Sequence, residues 1–167
     1  MVPDGTFSEC VKIFDFVFRA AKLAPSLKFI IRTHPVITYE KISKINFKFK
    51  NLPENLELST KDINEDFSRC RWVIYRGSSA VIYSVVAGLR PIYVAEKDEL
   101  SIDPLFKLKE WRLIATTPEE LIKKIEIDSN CELRNLEFEW NSAREYCLNY
   151  FQQHDFDAFA GAIEGLR

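Results

Sequence analysis

The sequence predicts a single α/β domain built on a doubly wound parallel sheet, and three observations lead there. Short runs that are apolar along their whole length recur through the chain. Segments with helical apolar spacing alternate with those runs. No Gly/Ser linker, repeat or low-complexity tract divides the 167 residues. A strand that is apolar at every position suits a sheet covered on both faces, and regular alternation with helices suits right-handed crossovers between parallel strands. A domain of this size buries roughly 70% of the surface its unfolded chain exposes, enough for a core without staples.

The elements follow in order. Leu27–Arg32 reads as a buried strand, closed by Thr33-His34-Pro35. Asn55–Ser59 is a weaker strand, Trp72–Tyr75 a strong one, and Pro91–Ala95 and Trp111–Ala115 complete the set. Between them, Glu9–Leu23 places Val11, Phe14, Val17, Phe18 and Ala21 on one helical face. Ile63–Cys70 and Ser79–Ala87 read as short helices. Thr117-Pro118-Glu119-Glu120 is a helix start, with Thr as cap, Pro in the first turn and acids at the positive end of the dipole. Leu136–Gln153 reads as a longer amphipathic helix and Asp157–Ile163 as a last one. Met1-Val2-Pro3 before Asp4-Gly5 reads as the tail of a strand. The expectation is a truncated first strand, in a portion of a larger protein or a chain completed by a separate half.

Composition narrows the function. Apolar residues at 47%, charged at 29% and aromatic at 13% describe a globular protein, and 5 Gly and 7 Pro exclude collagen-like or linker character. With 23 Lys+Arg against 25 Asp+Glu, the net charge of −2 gives no general reason to bind a polyanion. Cys10, Cys70, Cys131 and Cys147 lack C-x-x-C spacing, which argues against zinc and a disulfide framework and for reduced thiols. No apolar run approaches the roughly 18 residues of a membrane span, and no leader pattern opens the chain. A cytoplasmic protein is expected, with peripheral docking at the inner face of a membrane left open.

Ligands of open α/β sheets bind beyond the carboxyl ends of the strands. Arg76-Gly77-Ser78-Ser79 joins a buried strand to an apolar helix there. Gly77 permits a tight turn, and two hydroxyls with free helix N–H groups can hold a phosphate-like anion, to which Arg76 could add charge-assisted bonds. The plainer alternative is a Ser cap after a Gly turn. Ala80, Ser84, Ala87 and Gly88 form a small-residue side expected to let the helix approach the sheet closely. In Arg32-Thr33-His34-Pro35, Pro35 biases His34 to extended backbone and leaves an imidazole at a carboxyl end, although a lone histidine there is more often structural. Pro3-Asp4-Gly5-Thr6 is explained by turn chemistry, and Glu9 by the helix dipole.

Several chemistries are set aside. There is no G-x-G-x-x-G, no P-loop and no G-x-S-x-G elbow, and two histidines make a Ser–His–Asp triad improbable. No His/Cys/carboxylate group has metal-ligand spacing, and His154 beside Asp155 reads as a helix-end residue. Lys41, Lys44, Lys48 and Lys50 interleave with Phe47 and Phe49, a pattern that can grip single-stranded nucleic acid or a membrane. Such runs usually cover a core edge, and no nucleic-acid partner is expected.

The order of motifs resembles the carboxyl-terminal, donor-binding domain of the GT-B glycosyltransferases. The resemblance rests on Glu65-Asp66-Phe67, Trp72-Val73-Ile74, Gly77-Ser78-Ser79 and Ala87-Gly88-Leu89-Arg90-Pro91-Ile92, and covers most of the chain. His34-Pro35 and Ser78-Ser79 are similar to the HP and SS motifs of bacterial sialyltransferase-like and capsule or surface-polysaccharide enzymes. The resemblance implies a Rossmann-like three-layer domain over residues 1–167, with 135–167 as a carboxyl-terminal helical region and the amino-terminal acceptor domain absent. It implies sugar transfer from a nucleotide-sugar to a glycan or lipid-linked acceptor, with no cofactor beyond the donor. His34, Ser78 and Ser79 would contact the donor's phosphate and sugar portions, with Arg76 and Gly77 shaping the loop.

One departure is informative. Many retaining members carry a ribose-binding Glu five residues before the Gly of the return to the next strand, and here that position is Tyr83. A phenol cannot accept two ribose hydroxyls as a carboxylate does. A standard retaining UDP-sugar enzyme is therefore disfavoured, and a cytidine or other donor is the alternative. The rival readings are a nucleotide-sugar epimerase-type domain and a non-enzymatic α/β binding module.

Overall fold

The structure is a computed structural model that describes residues 1–3, 5–45, 47–131 and 133–151. Helix α1 (Phe7–Leu23) leads to β1 (Phe29–Ile31), α2 (Tyr39–Ile45), a 3-10 turn over Phe47–Lys50, β2 (Leu56–Leu58) and α3 (Ile63–Ser68). Then come β3 (Trp72–Tyr75), α4 (Ala80–Val86), β4 (Arg90–Val94), β5 (Leu113–Ala115), α5 (Pro118–Ser129) and α6 (Leu133–Leu148). The fold is α/β with two small parallel sheets, β1–β2 and β3–β4–β5. Phe29 lies beside Leu56, Trp72 beside Arg90, and Ile92 beside Leu113.

All five strands stand where apolar runs predict them. β3 has the expected range, β4 begins one residue earlier and ends one earlier, β1 and β2 are shorter at both ends, and β5 is shorter at its start. Leu27, for instance, turns its N–H back to the Ala24 carbonyl and stays outside β1. Thr117 caps α5, its hydroxyl accepting from the Glu120 N–H at 3.1 Å, with Pro118 in the first turn. Gly88 closes α4 at φ +95°, a left-handed conformation that favours glycine. The expected helix over 157–163, and His154 with Asp155, lie outside the described residues.

Two extended residues join the sheets. The Met1 amino group donates to the Ile30 carbonyl at 2.7 Å, and the Arg32 N–H donates to the Met1 carbonyl at 3.2 Å. On the other side, the Val2 N–H donates to the Ile74 carbonyl at 3.0 Å. Met1-Val2 thus lies between the facing edges of β1 and β3, bonded to both as a strand residue would be.

Side chains along β3 and β4 alternate between two apolar clusters. Ile74, Ile92 and Val94 join Phe14, Val17, Ile31, Phe49, Leu121 and Ile125 on the α1 and α5 side. Val73, Tyr75 and Tyr93 join Val81, Val85, Leu105, Ala143 and Cys147 on the α4 and α6 side. Met1 packs against the first cluster and Val2 belongs to the second. Each fully buried Val, Leu, Ile or Phe contributes about 1.5–3 kcal/mol, so these clusters are the main source of stability.

At Phe49 the lysine-bearing run follows its core-edge reading, and one sequence expectation, on α4, is corrected. Phe49 is 1% exposed and meets Phe14 and Phe18 edge-on at 5.0 and 5.4 Å. It is a core residue under a lysine-bearing turn, so it has no face to offer a base or a lipid. On α4, the buried residues are Val81, Ile82, Ser84 and Val85, while Ala87 and Gly88 are exposed. The small residues therefore do not form one stripe against the sheet. A Cβ on Gly88 would instead stand 3.9 Å from the Trp140 ring of α6.

Candidate functional site

Parallel strands bring the loops after β1 and β3 to one edge, and Met1-Val2 between them sends Pro3, Gly5 and Thr6 to the same edge. His34 and Gly77–Ser79 therefore flank the passage from Val2 into α1. His34 is half-buried; its carbonyl accepts from the Ile37 N–H at 2.9 Å and its Nδ1 from the Val36 N–H at 3.3 Å. With Nδ1 accepting, a neutral imidazole carries its proton on Nε2. That nitrogen stands beside Gly5, where an added Cβ would lie 3.7 Å from it. The imidazole is thus oriented by its own loop, with its donor directed toward the turn that leaves Val2.

The Ser pair divides. Ser78 is buried and Ser79 is exposed. Ser79 occupies the cap position of α4 yet makes no side-chain capping bond, at φ −66° and ψ −16°. Its hydroxyl is not engaged by the helix, so the plain capping alternative does not account for it. No direct hydrogen bond links His34 with either serine among the described residues.

Arg76 is placed differently from the sequence expectation. It is 3% exposed and its guanidinium is turned inward. Nε donates to Glu9, Nη2 to Glu99, and Nη1 to the Val94 carbonyl at 3.2 Å, with a Glu96 oxygen at 3.8 Å. Lys12 adds a second cation, 3.1 Å from Glu96 and 2.7 Å from Glu99. Burial opposes the charge on Arg76. The hydrogen bond to Glu9 and the charges of Glu9, Glu96 and Glu99 outweigh it, and hold the guanidinium more firmly protonated than usual. Lys12 first, then Glu96, holds the Glu99 carboxyl below its ordinary range. Arg76 therefore anchors the loop between β3 and α4 to α1 and to the end of β4, and its donors are occupied by protein acceptors.

This network also sets the polarity of the edge. Three carboxylates face two cations on the β4 side, which leaves that side unfavourable for an anion. Toward β1 stand the His34 imidazole and Gly5, while the exposed Ser79 follows β3 at the start of α4. Nothing in the sequence pattern signalled Glu9 and Glu99 as partners of Arg76, because the contacts span 67 and 23 residues.

Tyr83, at the departed ribose position, is 59% exposed and stacks on Phe151 at 5.7 Å and 17°. Among the described residues, no three His, Cys, Asp or Glu side chains form a group that could hold a metal, and none of the four cysteines is in a disulfide. No helix among those residues is long and apolar enough to cross a membrane. No protein-family model matches the chain, and no curated protein or solved structure matches it significantly.

Proposed function

We propose that this chain is the nucleotide-sugar-binding half of a glycosyltransferase of surface-polysaccharide type, with a Rossmann-like, three-layer doubly wound core. The single observation that carries the reading is the position of Met1-Val2 between β1 and β3. Counted as a strand, it gives the order β2, β1, Met1-Val2, β3, β4, β5. Read along the chain, that order reverses between Met1-Val2 and β3, and ligands of such sheets bind where the order reverses. The motif resemblance, with His34 and the Ser pair flanking that crevice, supports the sugar-nucleotide class.

In this reading the donor's diphosphate lies on the β1 side, against His34, Gly5 and the Ser78-Ser79 loop, away from Glu96 and Glu99. As the glycosidic bond breaks, negative charge grows on the departing phosphate. The His34 Nε2 proton and the serine hydroxyls stabilise that charge, and donors already oriented need little reorganisation. Gly77 lets the main chain approach the phosphates, and Arg76 acts as a positioning residue through Glu9. The acceptor, a glycan or lipid-linked sugar, would be held by a domain outside this chain, which would also account for peripheral association with a membrane. The test is calorimetric titration of nucleoside diphosphates into the wild-type chain and into Ser78→Ala/Ser79→Ala. Loss of hydrogen bonds to a charged group costs about 1.5–3 kcal/mol each, a fall of roughly 10-fold or more in affinity with the fold intact.

A further inference from the structure

Between α6 and the turn over 104–107, a groove of about 560 Å³ stands open to solvent. Phe106, Tyr146 and Tyr150 give it aromatic walls, and Lys107, Glu145 and Asn149 give it polar groups. We propose that this groove binds an uncharged stretch of glycan, laid across the rings and hydrogen-bonded at their margin. The sugar class is argued from the groove itself. That the glycan is the growing acceptor rests on the glycosyl-transfer reading, in which the groove holds a length of polymer behind the reacting end.

The rings supply the first argument. Phe106 and Tyr150 are 61% and 41% exposed, and neither belongs to a core cluster. Tyr146 meets Tyr150 edge-on at 5.9 Å, Tyr150 meets Phe151 edge-on at 5.1 Å, and Phe151 stacks on Tyr83. A single exposed ring needs no explanation, but rings that touch in series and stay exposed mark a contact surface. Their mutual packing also fixes their orientation, so a ligand meets a platform already ordered. The series leads from the groove to α4, where Tyr83 stands one helical turn after Ser79 on the same face. A polymer along the rings therefore runs toward the serine loop.

The polar groups supply the second argument and name the ligand. A sugar ring has C–H groups on its faces and hydroxyls around its rim, so it fits an apolar platform bordered by donors and acceptors. The Asn149 amide donates to the Glu145 carbonyl at 3.0 Å, which orients it on α6 and leaves Oδ1 to accept. The Tyr146 hydroxyl donates to the Pro104 carbonyl at 3.4 Å and ties the two walls together. Among the described residues, neither Lys107 nor Glu145 has an ion-pair partner, and Lys107 Nζ stands 5.8 Å from the centre of the Phe106 ring. One cation and one carboxylate cancel, which suits a ligand without charge. A polyanion or an anionic bilayer would meet the Glu145 carboxylate. An apolar peptide would take water from both charges and return no hydrogen bond. Hydroxyls serve both.

The test titrates chitohexaose and maltohexaose into the full chain, by calorimetry and by saturation-transfer NMR. At least one hexamer should bind saturably, with the strongest transfer to its C–H groups. Phe106→Ala and Tyr150→Ala should each weaken it by roughly 10-fold with melting unchanged, the effect of losing about half of a buried ring. Ile127→Ala, an exposed apolar side chain on α5, should change nothing. Titrations of CDP and UDP into the same variants keep the two readings apart, and nucleotide affinity should hold in each. Ring-dependent hexamer binding without nucleotide binding would uphold the groove and sink only the transfer reading. No saturable binding of either hexamer, or equal affinity in the ring variants, would overturn the proposal.

Discussion

The buried guanidinium of Arg76 is clamped to the Glu9 carboxylate of α1, across 67 residues of sequence. The pair ties the loop that follows β3 to the helix that follows Val2, so both walls of the candidate crevice share one anchor.

Removing the cation should therefore damage the scaffold more than the ligand site. Arg76→Met leaves Glu9 and Glu99 without their buried partner, and should cost about 3 kcal/mol in chemical denaturation. Folded Arg76→Met at low temperature should lose nucleotide affinity by less than roughly 10-fold, because the anchored loop loosens while no hydrogen bond to the ligand is removed. A large loss of affinity without loss of stability would return Arg76 to the role of a ligand contact.

Met1 makes stability depend on pH. Its amino group titrates at about 6 in the folded chain against 8.0 in the open chain, because burial penalises the charge. Between those values the unfolded chain binds more protons, so stability rises with pH across the window, by up to about 2–3 kcal/mol. Acetylating the amino terminus should flatten that rise in urea titrations at pH 5.5, 7 and 8.5. Identical slopes for free and acetylated chains would refute this account of the amino group.

Asp128 is the second buried charge that holds elements together. It is 3% exposed and accepts from Trp72 Nε1 at 2.6 Å and Arg90 Nη1 at 2.5 Å. Its main-chain carbonyl accepts from Arg71 at 2.7 Å. Asp128→Ala leaves the Trp72 indole N–H without its acceptor and removes the partner of Arg90 Nη1. Arg90 keeps Glu139 and the Trp111 and Glu110 carbonyls, so the substitution should destabilise by about 3 kcal/mol. Asp128→Asn keeps one acceptor and should cost less. A wild-type midpoint for Asp128→Ala would contradict the assignment.

Asn55 shows how a polar residue can fix a register. Its side-chain amide donates to the carbonyls of Ala21, Ala24 and Leu27 at 2.9, 3.0 and 2.8 Å, pinning the end of α1 to the start of β2. Asn55→Leu should lower stability by about 1–3 kcal/mol, with amide exchange rising first at Leu27 and Phe29. Unchanged exchange there would remove this role.

The strands were legible because Trp72–Tyr75 and its counterparts are apolar at consecutive positions, and both faces of the β3–β4 ladder are indeed covered. Thr117-Pro118 was legible because capping is a local rule. The segment from Tyr39 to Lys50 was not, since its lysines masked Ile42 and Phe49, two buried anchors in a short helix and turn. The inward turn of Arg76 was equally hidden. It depends on Glu9, Glu96 and Glu99 arriving from α1 and from beyond β4, which no local pattern encodes. For His34 and Ser79, the sequence marked the loops at the carboxyl ends of two strands, but only the geometry shows one oriented by Val36 and the other uncommitted as a cap.

The most direct measurement is calorimetric titration of CDP and UDP into the wild-type chain and into His34→Ala and Ser78→Ala/Ser79→Ala variants with unchanged melting. The account predicts saturable binding of at least one nucleotide, weakened roughly 10-fold or more in both variants. No saturable binding by the wild-type chain, or equal affinity in all three proteins, would contradict it.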